Sequence, residues 1–326
     1  MKTAFFSTQS YDKEYFTRYN TNHELVFLDA PLNEQTAALA ADCPAICAFV
    51  NDTVNEPVIK MLAGQGVQLI AMRSAGYNNI DINAAKALNI TIVRVPAYSP
   101  HAVAEHAVAL ILTLNRKTHK AYNRVRDGNF SLEKLTGFDL YGKKVGVIGT
   151  GKIGQVFCEI MLGFGCKVLA FDMIANREME AKGVKYLPLV QLLPQCDIIS
   201  LHCPLTEQTH HIINTDTLSL MKQGVMLINT SRGALIDTAA AIQALKTGRL
   251  RYLGIDVYEQ EEKLFFHNLS EEIIEDDTIM RLKSFPNVLI TAHQGFFTDE
   301  ALTQIALTTL QNISDFEAGK NLINKV

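Results

Sequence analysis

The stretch KVGVIGTGKIGQ, which runs from Lys144 to Gln155, decides the fold class of this protein. Its first half is an apolar, β-branched run of the kind that forms a buried strand. Its second half places glycines at 149, 151 and 154 in the spacing G-x-G-x-x-G and leads into a helical pattern. A strand that turns through such glycines into a helix is typical of a doubly wound α/β sheet, and this context is more specific than the glycine spacing alone.

Each glycine of this stretch has a separate physical role beside a dinucleotide. Gly149 permits the tight turn, Gly151 lets the backbone approach a pyrophosphate at the helix amino terminus, and Gly154 permits close packing of helix on strand. The next strand, KVLAFD, ends at Asp172, 18 residues after Gly154. A carboxylate there accepts hydrogen bonds from the adenosine ribose and repels a 2′-phosphate. The sequence therefore predicts NAD, rather than NADP, as the cofactor.

Length and composition narrow the class of protein further. A chain of 326 residues predicts two domains, and its 48% hydrophobic content is enough for two cores. The net charge of −4, with acids and bases interspersed, argues against a nucleic-acid or anionic-membrane partner.

The apolar run in MKTAFFSTQS is too short for a signal peptide, and AVALILTL is shorter than the roughly 20 residues of a membrane span. We therefore expect a cytoplasmic location.

The cysteines indicate a reducing compartment and no metal site. None of the six forms a CxxC pair, and most lie in apolar segments. Their spacing therefore predicts reduced, buried thiols that pack as small hydrophobic groups. These residues are Cys43, Cys47, Cys158, Cys166, Cys196 and Cys203.

Apolar runs that alternate with helical segments predict two parallel sheets. The candidate strands of the first sheet are TAFFS, ELVFLD, AICAFV, VQLIAM and ITIVRV, separated by helical NEQTAALAAD, EPVIKMLAGQ and IDINAAKALN. Those of the second are KKVGVIG, KVLAFD, DIISLH, VMLINT, YLGIDV and NVLITA. A long amphipathic helix is predicted from Val103 to Arg126, and a last helix begins after a capping Thr298. Composition alone leaves open which unit the last helix covers.

Polar residues follow the later strands at the edge where the glycine turn lies. Arg232 follows VMLINT, Asp256 and Glu261 follow YLGIDV, and His293 follows NVLITA. Each also has a purely structural explanation. Arg232 could be a surface charge and Asp256 a turn cap. Glu261 could be a solvated acid and His293 a core side chain. Because ligands of open α/β sheets bind at the carboxyl ends of strands, all four on one edge favour a site.

These residue types suit hydride transfer to a 2-keto acid. An arginine binds the carboxylate and polarises the carbonyl through its planar, permanently charged fork. A histidine donates the proton near neutral pH, and a carboxylate orients that imidazole. The chain offers a candidate for each role.

The motifs together resemble the D-isomer-specific 2-hydroxyacid dehydrogenases. The resemblance is carried by VGVIGTGKIGQ, CPLTEQTHHIIN, INTSRGALID, GIDVYEQE and TAHQGFFTDEAL. RSAGYNNIDI, RVPAYSPHAVAEHAV and LNRKTHKAYNRVRDGNFSL narrow it to the lactate-forming subgroup. It extends from the amino terminus to about Phe316, and the combination of motifs is highly specific. A proline that often follows the catalytic glutamate is replaced by EKLFFHNLSEEIIEDDTIMRLKSF, a feature that the subgroup shares.

The resemblance implies a Rossmann-type NAD domain, residues 101–298, inserted into a flavodoxin-like substrate domain of residues 1–100 and 299–326. It implies reversible reduction of pyruvate to D-lactate in a homo-oligomer, dimer or tetramer. The implied catalytic residues are Arg232, Glu261 and His293, with Glu261 rather than Glu259 on the motif. Substrate contacts are implied for Ala75, Gly76 and Tyr98, with Phe296 closing over the methyl group. Cofactor contacts beyond the glycines are implied for Lys152, Ile153, Asp172, Cys203, Pro204, Thr209, Thr230, Ser231 and Asp256.

Two alternatives stay open on the sequence. One is a dehydrogenase for a bulkier D-2-hydroxy acid, against which the two phenylalanines after His293 argue weakly. The other is an NAD-sensing protein that resembles a corepressor and has no activity, although the complete set of catalytic residues favours an enzyme. The remaining histidines that we interpret as packing or surface residues are His101, His106, His119, His210 and His211.

Overall fold

The computed structural model describes residues 1–261 and 264–326 and divides them into two units. The first unit combines Met1–Ser99 with Phe297–Val326, and the second is Pro100–Phe296. Each unit has its own parallel sheet, so the predicted fold class, two doubly wound α/β sheets, is confirmed.

The first unit contains a five-stranded sheet. Its strands are β1 (Lys2–Phe5), β2 (Glu24–Phe27), β3 (Ala45–Ala48), β4 (Leu69–Met72) and β5 (Thr91–Val93). They lie in the order β2-β1-β3-β4-β5, with every pairing parallel. β3 and β4 are buried at every position, as expected for central strands covered on both faces.

Four helices complete the first unit: α1 (Ser10–Tyr19), α2 (Glu56–Gly64), α3 (Ile82–Ala87) and α12 (Asp299–Glu317). α12 begins at the predicted cap, because the hydroxyl of Thr298 accepts a hydrogen bond from the N–H of Ala301 at 3.3 Å. α12 packs against α1 and β4, so it belongs to the first unit. The predicted helix in NEQTAALAAD is reduced to a 3₁₀ turn, Ala37–Ala40.

The second unit contains a seven-stranded parallel sheet. Its strands are β6 (Lys144–Ile148), β7 (Lys167–Phe171), β8 (Lys185–Tyr186), β9 (Ile198–Leu201), β10 (Val225–Asn229), β11 (Leu250–Ile255) and β12 (Val288–Ile290). They lie in the order β12-β11-β10-β9-β6-β7-β8. The chain reverses its direction of winding between β6 and β9, so a crevice for ligands is expected at the carboxyl ends of these strands. Of the strands that the structure describes, only the two-residue β8 was not predicted.

The helix predicted from Val103 to Arg126 is wrong as one element, because it is broken at Lys117. The structure has α4 (Pro100–Arg116) and α5 (Thr118–Arg126), and Lys117 between them has a left-handed φ of 52°. The Lys117 ammonium donates to the carbonyls of Lys134 and Thr136, and these contacts hold the break. The other helices of this unit are α6 (Lys152–Gly163), α7 (Arg177–Ala181), α8 (Leu189–Leu192), α9 (Thr215–Leu220), α10 (Thr238–Lys246) and α11 (Asp277–Lys283).

All six cysteines are free and buried. Burial raises the pKa of the Cys47, Cys158 and Cys196 thiols to about 12, so these groups stay protonated and act as packing residues. Within the described ranges, no cluster of three or more His, Cys, Asp or Glu side chains could hold a metal ion. The helices of that same part of the chain include none with the length and apolarity to cross a membrane.

Candidate active site

The glycine turn after β6 is packed so closely that side chains are excluded at two positions. Gly149 has a left-handed φ of 94°, and a Cβ there would lie 2.5 Å from the backbone nitrogen of Cys203. A Cβ on Gly154 would lie 2.0 Å from the carbonyl oxygen of Gly149. A Cβ on Gly151, by contrast, would meet no described atom within 4 Å, so the backbone there faces open space.

Asp172 lies directly beside this turn, at the carboxyl end of β7. Its Oδ2 accepts hydrogen bonds from the backbone N–H of Thr150 at 2.6 Å and from the Thr150 hydroxyl at 3.0 Å. Tyr186 donates to the same hydroxyl at 2.9 Å. The sequence did not identify Thr150 or Tyr186 as supports of the acid, because only the pairing of β6, β7 and β8 brings them together.

The amino terminus of α6 and the neighbouring strand ends have the properties of a dinucleotide site. Gly151 precedes α6 without a side-chain cap among the described residues, so the first N–H groups of the helix can bind an anion. Lys152 and Ile153 form the first turn. The Thr230 hydroxyl, at the end of β10, is buried and has no hydrogen-bond partner in the described part of the chain. The open face at Gly151 and this orphaned hydroxyl fit a bound NAD.

The other residues expected near the cofactor lie in two neighbouring loops. The Ser231 hydroxyl donates to the carbonyl of Cys203 at 2.7 Å, which joins the ends of β10 and β9. The Thr209 hydroxyl donates to the carbonyl of Pro204 at 2.7 Å and closes the loop after β9. Burial raises the pKa of the Cys203 thiol to about 11, so this thiol is uncharged at neutral pH.

Glu261 and His293 form a hydrogen-bonded pair. The imidazole Nδ1 lies 2.8 Å from Oε1 of Glu261, and the other carboxylate oxygen accepts from the N–H of Tyr258 at 2.8 Å. The two side chains are 22% and 20% exposed, so the pair is shielded but still accessible. Because Nδ1 is engaged by the carboxylate, Nε2 is the atom that can exchange a proton with a ligand.

The turn that carries His293 is closed on Asp256, a residue 1% exposed at the end of β11. His293 has a left-handed φ of 53°, and its N–H donates to the Asp256 carbonyl at 2.8 Å. The Asp256 carboxylate accepts from the N–H of Gln294 at 2.9 Å and of Gly295 at 2.8 Å. Burial raises the pKa of Asp256, but the nearby His106 and the hydrogen bonds from Thr291 and Gly295 outweigh it and hold this pKa below its usual value.

His106 is therefore more than the packing or surface residue that we expected. It is 15% exposed and lies 3.3 Å from Oδ1 of Asp256. Nothing in the pattern of α4 distinguishes it from the other histidines, and the contact joins positions far apart in sequence. His211, in the same expected class, pairs with Glu259 at 2.7 Å.

Arg232 follows β10 in a close-packed turn. A Cβ on the next residue, Gly233, would lie 2.1 Å from the carbonyl carbon of Tyr258. The Asn229 amide donates to the Arg232 carbonyl at 2.8 Å, and one guanidinium nitrogen donates to the carbonyl of Ser231 at 2.7 Å. The remaining guanidinium donors can pair with a carboxylate. Since β10, β11 and β12 are adjacent, Arg232, Asp256 and His293 follow three neighbouring strands.

The residues expected to bind the substrate carboxylate lie mostly in the first unit. Ala75 and Gly76 follow β4, and Tyr98 lies in the segment after β5, the neighbouring strand. Arg94, which sequence reasoning missed, donates from Nη1 to the Ala75 carbonyl at 2.8 Å and lies over the Tyr77 ring at 5.1 Å.

Phe296, the residue expected to close over the substrate methyl group, is the last residue of the second unit. It is 7% exposed and follows the turn that is held by Asp256. The next residue, Phe297, begins the carboxyl-terminal part of the first unit, where its ring lies 4.8 Å from that of Tyr11.

Comparison with known proteins decides the family. A family profile described as "D-isomer specific 2-hydroxyacid dehydrogenase, NAD binding domain" matches residues 108–295. The chain belongs to the D-isomer-specific 2-hydroxyacid dehydrogenases. This dehydrogenase is 52% identical to the D-lactate dehydrogenase of Escherichia coli K12, over the full length of both chains. It is 51% identical to a 2-hydroxyacid dehydrogenase homolog of Haemophilus influenzae, covering 98% and 97% of the two chains.

Solved structures agree with this membership. The apo-structure of D-lactate dehydrogenase from Escherichia coli superposes with a TM-score of 0.92 at 50% identity, covering both chains fully. The Aquifex aeolicus D-lactate dehydrogenase complexed with NAD and lactic acid gives a TM-score of 0.84 at 35% identity, covering 97% and 96%. The dehydrogenase is thus an NAD-dependent oxidoreductase whose second unit contains the NAD-binding domain of the family.

Proposed function

We propose that this dehydrogenase interconverts pyruvate and D-lactate. The proposal is carried by the His293–Glu261 pair, with Nδ1 and Oε1 2.8 Å apart, at the same sheet edge as the Arg232 turn. The names of relatives similar over their full length, among them the Escherichia coli D-lactate dehydrogenase, support lactate as the 2-hydroxy acid.

Arg232 binds the carboxylate of pyruvate with two parallel hydrogen bonds and polarises the neighbouring carbonyl. The family resemblance assigns further substrate-carboxylate contacts to the backbone at Ala75 and Gly76 and to Tyr98, all in the first unit. Arg94 fixes this loop through its hydrogen bond to the Ala75 carbonyl. These contacts orient the carbonyl carbon for reaction.

His293 transfers the proton at Nε2. A bound NADH would supply the hydride for the carbonyl carbon and leave as NAD⁺. The His293 imidazolium would give its Nε2 proton to the carbonyl oxygen, so that the ketone becomes an alcohol. Glu261 accepts the Nδ1 hydrogen bond throughout, which fixes the ring and stabilises its protonated form. In lactate oxidation the neutral imidazole takes the hydroxyl proton at the same atom.

We further propose that residues 101–298 form the NAD-binding domain, which also supplies Arg232 and Phe296, and that residues 1–100 and 299–326 form the substrate domain. The amino terminus of α6, with Gly149, Gly151 and Gly154, would hold the pyrophosphate, and Asp172 the adenosine ribose. The remaining contacts are assigned to Lys152, Ile153, Cys203, Pro204, Thr209, Thr230, Ser231 and Asp256. Phe296 would close the pocket around a methyl group, which favours pyruvate over bulkier 2-keto acids.

The purified protein tests the proposal directly. NADH oxidation is measured with pyruvate and with 2-keto acids of increasing side-chain length, and the enantiomer of the product is determined by chiral chromatography. We expect the highest kcat/KM with pyruvate and D-lactate as product. Arg232→Lys keeps the charge but loses the planar fork, so kcat/KM for pyruvate should fall by about 100-fold. Arg251→Lys, at an exposed position, serves as the control. L-lactate, or a clear preference for a bulkier acid, would contradict the proposal.

A further inference from the structure

The histidine of α4 reaches the acid/base turn through a chain of hydrogen bonds. The His106 Nε2 atom lies 3.0 Å from the Thr291 hydroxyl oxygen, which in turn lies 2.5 Å from Oδ1 of Asp256. Asp256 accepts the backbone N–H groups of Gln294 and Gly295, the two residues after His293. One connected network therefore runs from α4 to the turn that carries His293.

The donor and the acceptor of each hydrogen bond in this network can be assigned. The Thr291 hydroxyl has a single hydrogen, and it is donated to the Asp256 carboxylate. The hydroxyl oxygen can therefore only accept from His106, so His106 must carry a hydrogen on Nε2. Among the described residues, His106 is also the one basic side chain within ion-pair distance of Asp256, at 3.3 Å.

The turn needs such support because its geometry is unfavourable by itself. His293 is a non-glycine residue at φ 53°, a conformation that persists only where the surroundings hold it. Its support comes from Asp256, whose carbonyl accepts the His293 N–H and whose carboxylate accepts the next two N–H groups. A buried carboxylate that loses a donor is less stable as an anion, so it shifts or takes up a proton, and either change weakens its hydrogen bonds to the N–H groups of Gln294 and Gly295.

We propose that His106 is a positioning residue for catalysis, which acts through Thr291 and Asp256 to hold His293 in reactive geometry. This proposal deepens the proposed function and rests on His293 as the acid/base. His106 touches neither substrate nor the reacting atoms. Its contribution is the Nε2–H donor that completes the Asp256 network.

Matched substitutions separate this role from a general loss of stability. His106→Leu removes the donor, whereas His106→Gln places an amide nitrogen close to the position of Nε2. Thr291→Val removes the linking hydroxyl at nearly constant shape, and Thr291→Ser keeps it. His101→Leu makes the same change at an exposed position of the same helix and serves as the control.

We expect His106→Leu to lower kcat for pyruvate reduction about tenfold while KM for pyruvate changes less than about threefold, because Arg232 is untouched. His106→Gln should restore most of the lost rate. Thr291→Val should resemble His106→Leu, and the double variant should be no slower than either, because both changes break one network. Equal losses for Leu and Gln, multiplicative losses in the double variant, or an unchanged kcat in His106→Leu would each overturn the proposal.

A second readout does not depend on turnover. With ¹³C-labelled histidine, the NMR signal of His293 is identified by its loss in His293→Ala. The chemical shift of this signal should change in His106→Leu and in Thr291→Val. It should be close to the wild-type value in His106→Gln and unchanged in His101→Leu. If the wild type fails to reduce pyruvate, the proposed function fails while this signal still reports the coupling. An unmoved His293 signal in a folded His106→Leu protein would overturn the positioning role.

Discussion

Gly154 lies so close to Gly149 that a Cβ on Gly154 would be 2.0 Å from the Gly149 carbonyl oxygen. The first turn of α6 therefore packs on the glycine turn with no room for a methyl group. This contact fixes the distance between the helix amino terminus and the end of β6, and with it the space in which we place the cofactor pyrophosphate.

Gly154→Ala should consequently displace α6 and weaken NADH binding by at least about tenfold, because a backbone oxygen cannot move aside as a flexible side chain can. Gly163→Ala is a matched control in the same helix, since a Cβ there meets no described atom within 4 Å. That variant should bind NADH normally and be slightly more stable, by up to about 1 kcal/mol. Titration of NADH fluorescence and thermal melting measure both effects. Normal NADH affinity in Gly154→Ala would show that the cofactor lies elsewhere.

Asp172→Ala should reduce the preference for NADH over NADPH. We expect the ratio of kcat/KM values to fall by about 10- to 100-fold, because the carboxylate that bonds the ribose and repels a 2′-phosphate is gone. Since Asp172 also accepts from Thr150, a control must separate support of the loop from cofactor selection. Thr150→Val keeps the backbone N–H bond to Asp172 but loses the hydroxyl, which bonds both Asp172 and Tyr186, and it should lower both kcat/KM values without changing their ratio. An unchanged ratio in Asp172→Ala would remove Asp172 from cofactor selection.

Glu261→Gln should lower kcat in both directions by about 10- to 100-fold, since the amide cannot stabilise an imidazolium and can misorient the ring. Glu259→Gln is the matched control, because Glu259 pairs with a different histidine, His211, and with Thr238. We expect the control to keep nearly full kcat. The two variants are compared by steady-state rates of pyruvate reduction and lactate oxidation. Equal rates for both variants would show that Glu261 has no role in catalysis.

The His202 imidazole should make the stability of the NAD-binding unit sensitive to acid. Burial lowers the pKa of His202 to about 3, and the ring packs on Phe157 and bonds the Ser200 hydroxyl. Because the folded pKa lies below the unfolded value of roughly 6.5, the unfolded chain binds the proton more readily. The contribution of neutral His202 is therefore complete above about pH 6.5 and is lost as the pH falls towards 3.

Below pH 6.5 the free energy of unfolding falls by about 1.4 kcal/mol per pH unit, so the loss at pH 5 is up to about 2 kcal/mol. His202→Asn has no titrating ring, so its free energy of unfolding should fall less between pH 7 and pH 5. Chemical denaturation at the two pH values measures the difference. Parallel losses in wild type and variant would mean that His202 is protonated without cost in the folded state.

The strand and helix signals were largely local, and the sequence predicted them well. Alternation of apolar runs and helical segments indicated two parallel sheets, and the observed sheets contain every predicted strand. Most strands are shorter than predicted, while β1 begins at Lys2 and β11 at Leu250, slightly before the predicted runs. The exceptions have physical reasons. β8 is two residues long and too short to leave a pattern, and the break at Lys117 depends on carbonyls 17 and 19 residues away.

The sequence by itself determined which residue follows each strand, and therefore that Arg232, Asp256 and His293 lie on one edge of a parallel sheet. That inference needs only strand direction, which the crossover pattern fixes. The family motif already favoured Glu261 over Glu259, and the structure places Glu261 against His293. Tertiary structure alone decided that His106 reaches Asp256, across 150 positions of sequence. Spacing along the chain governs backbone periodicity, whereas contacts between distant side chains depend on how helices pack against the finished sheet, and that packing leaves no local pattern to read.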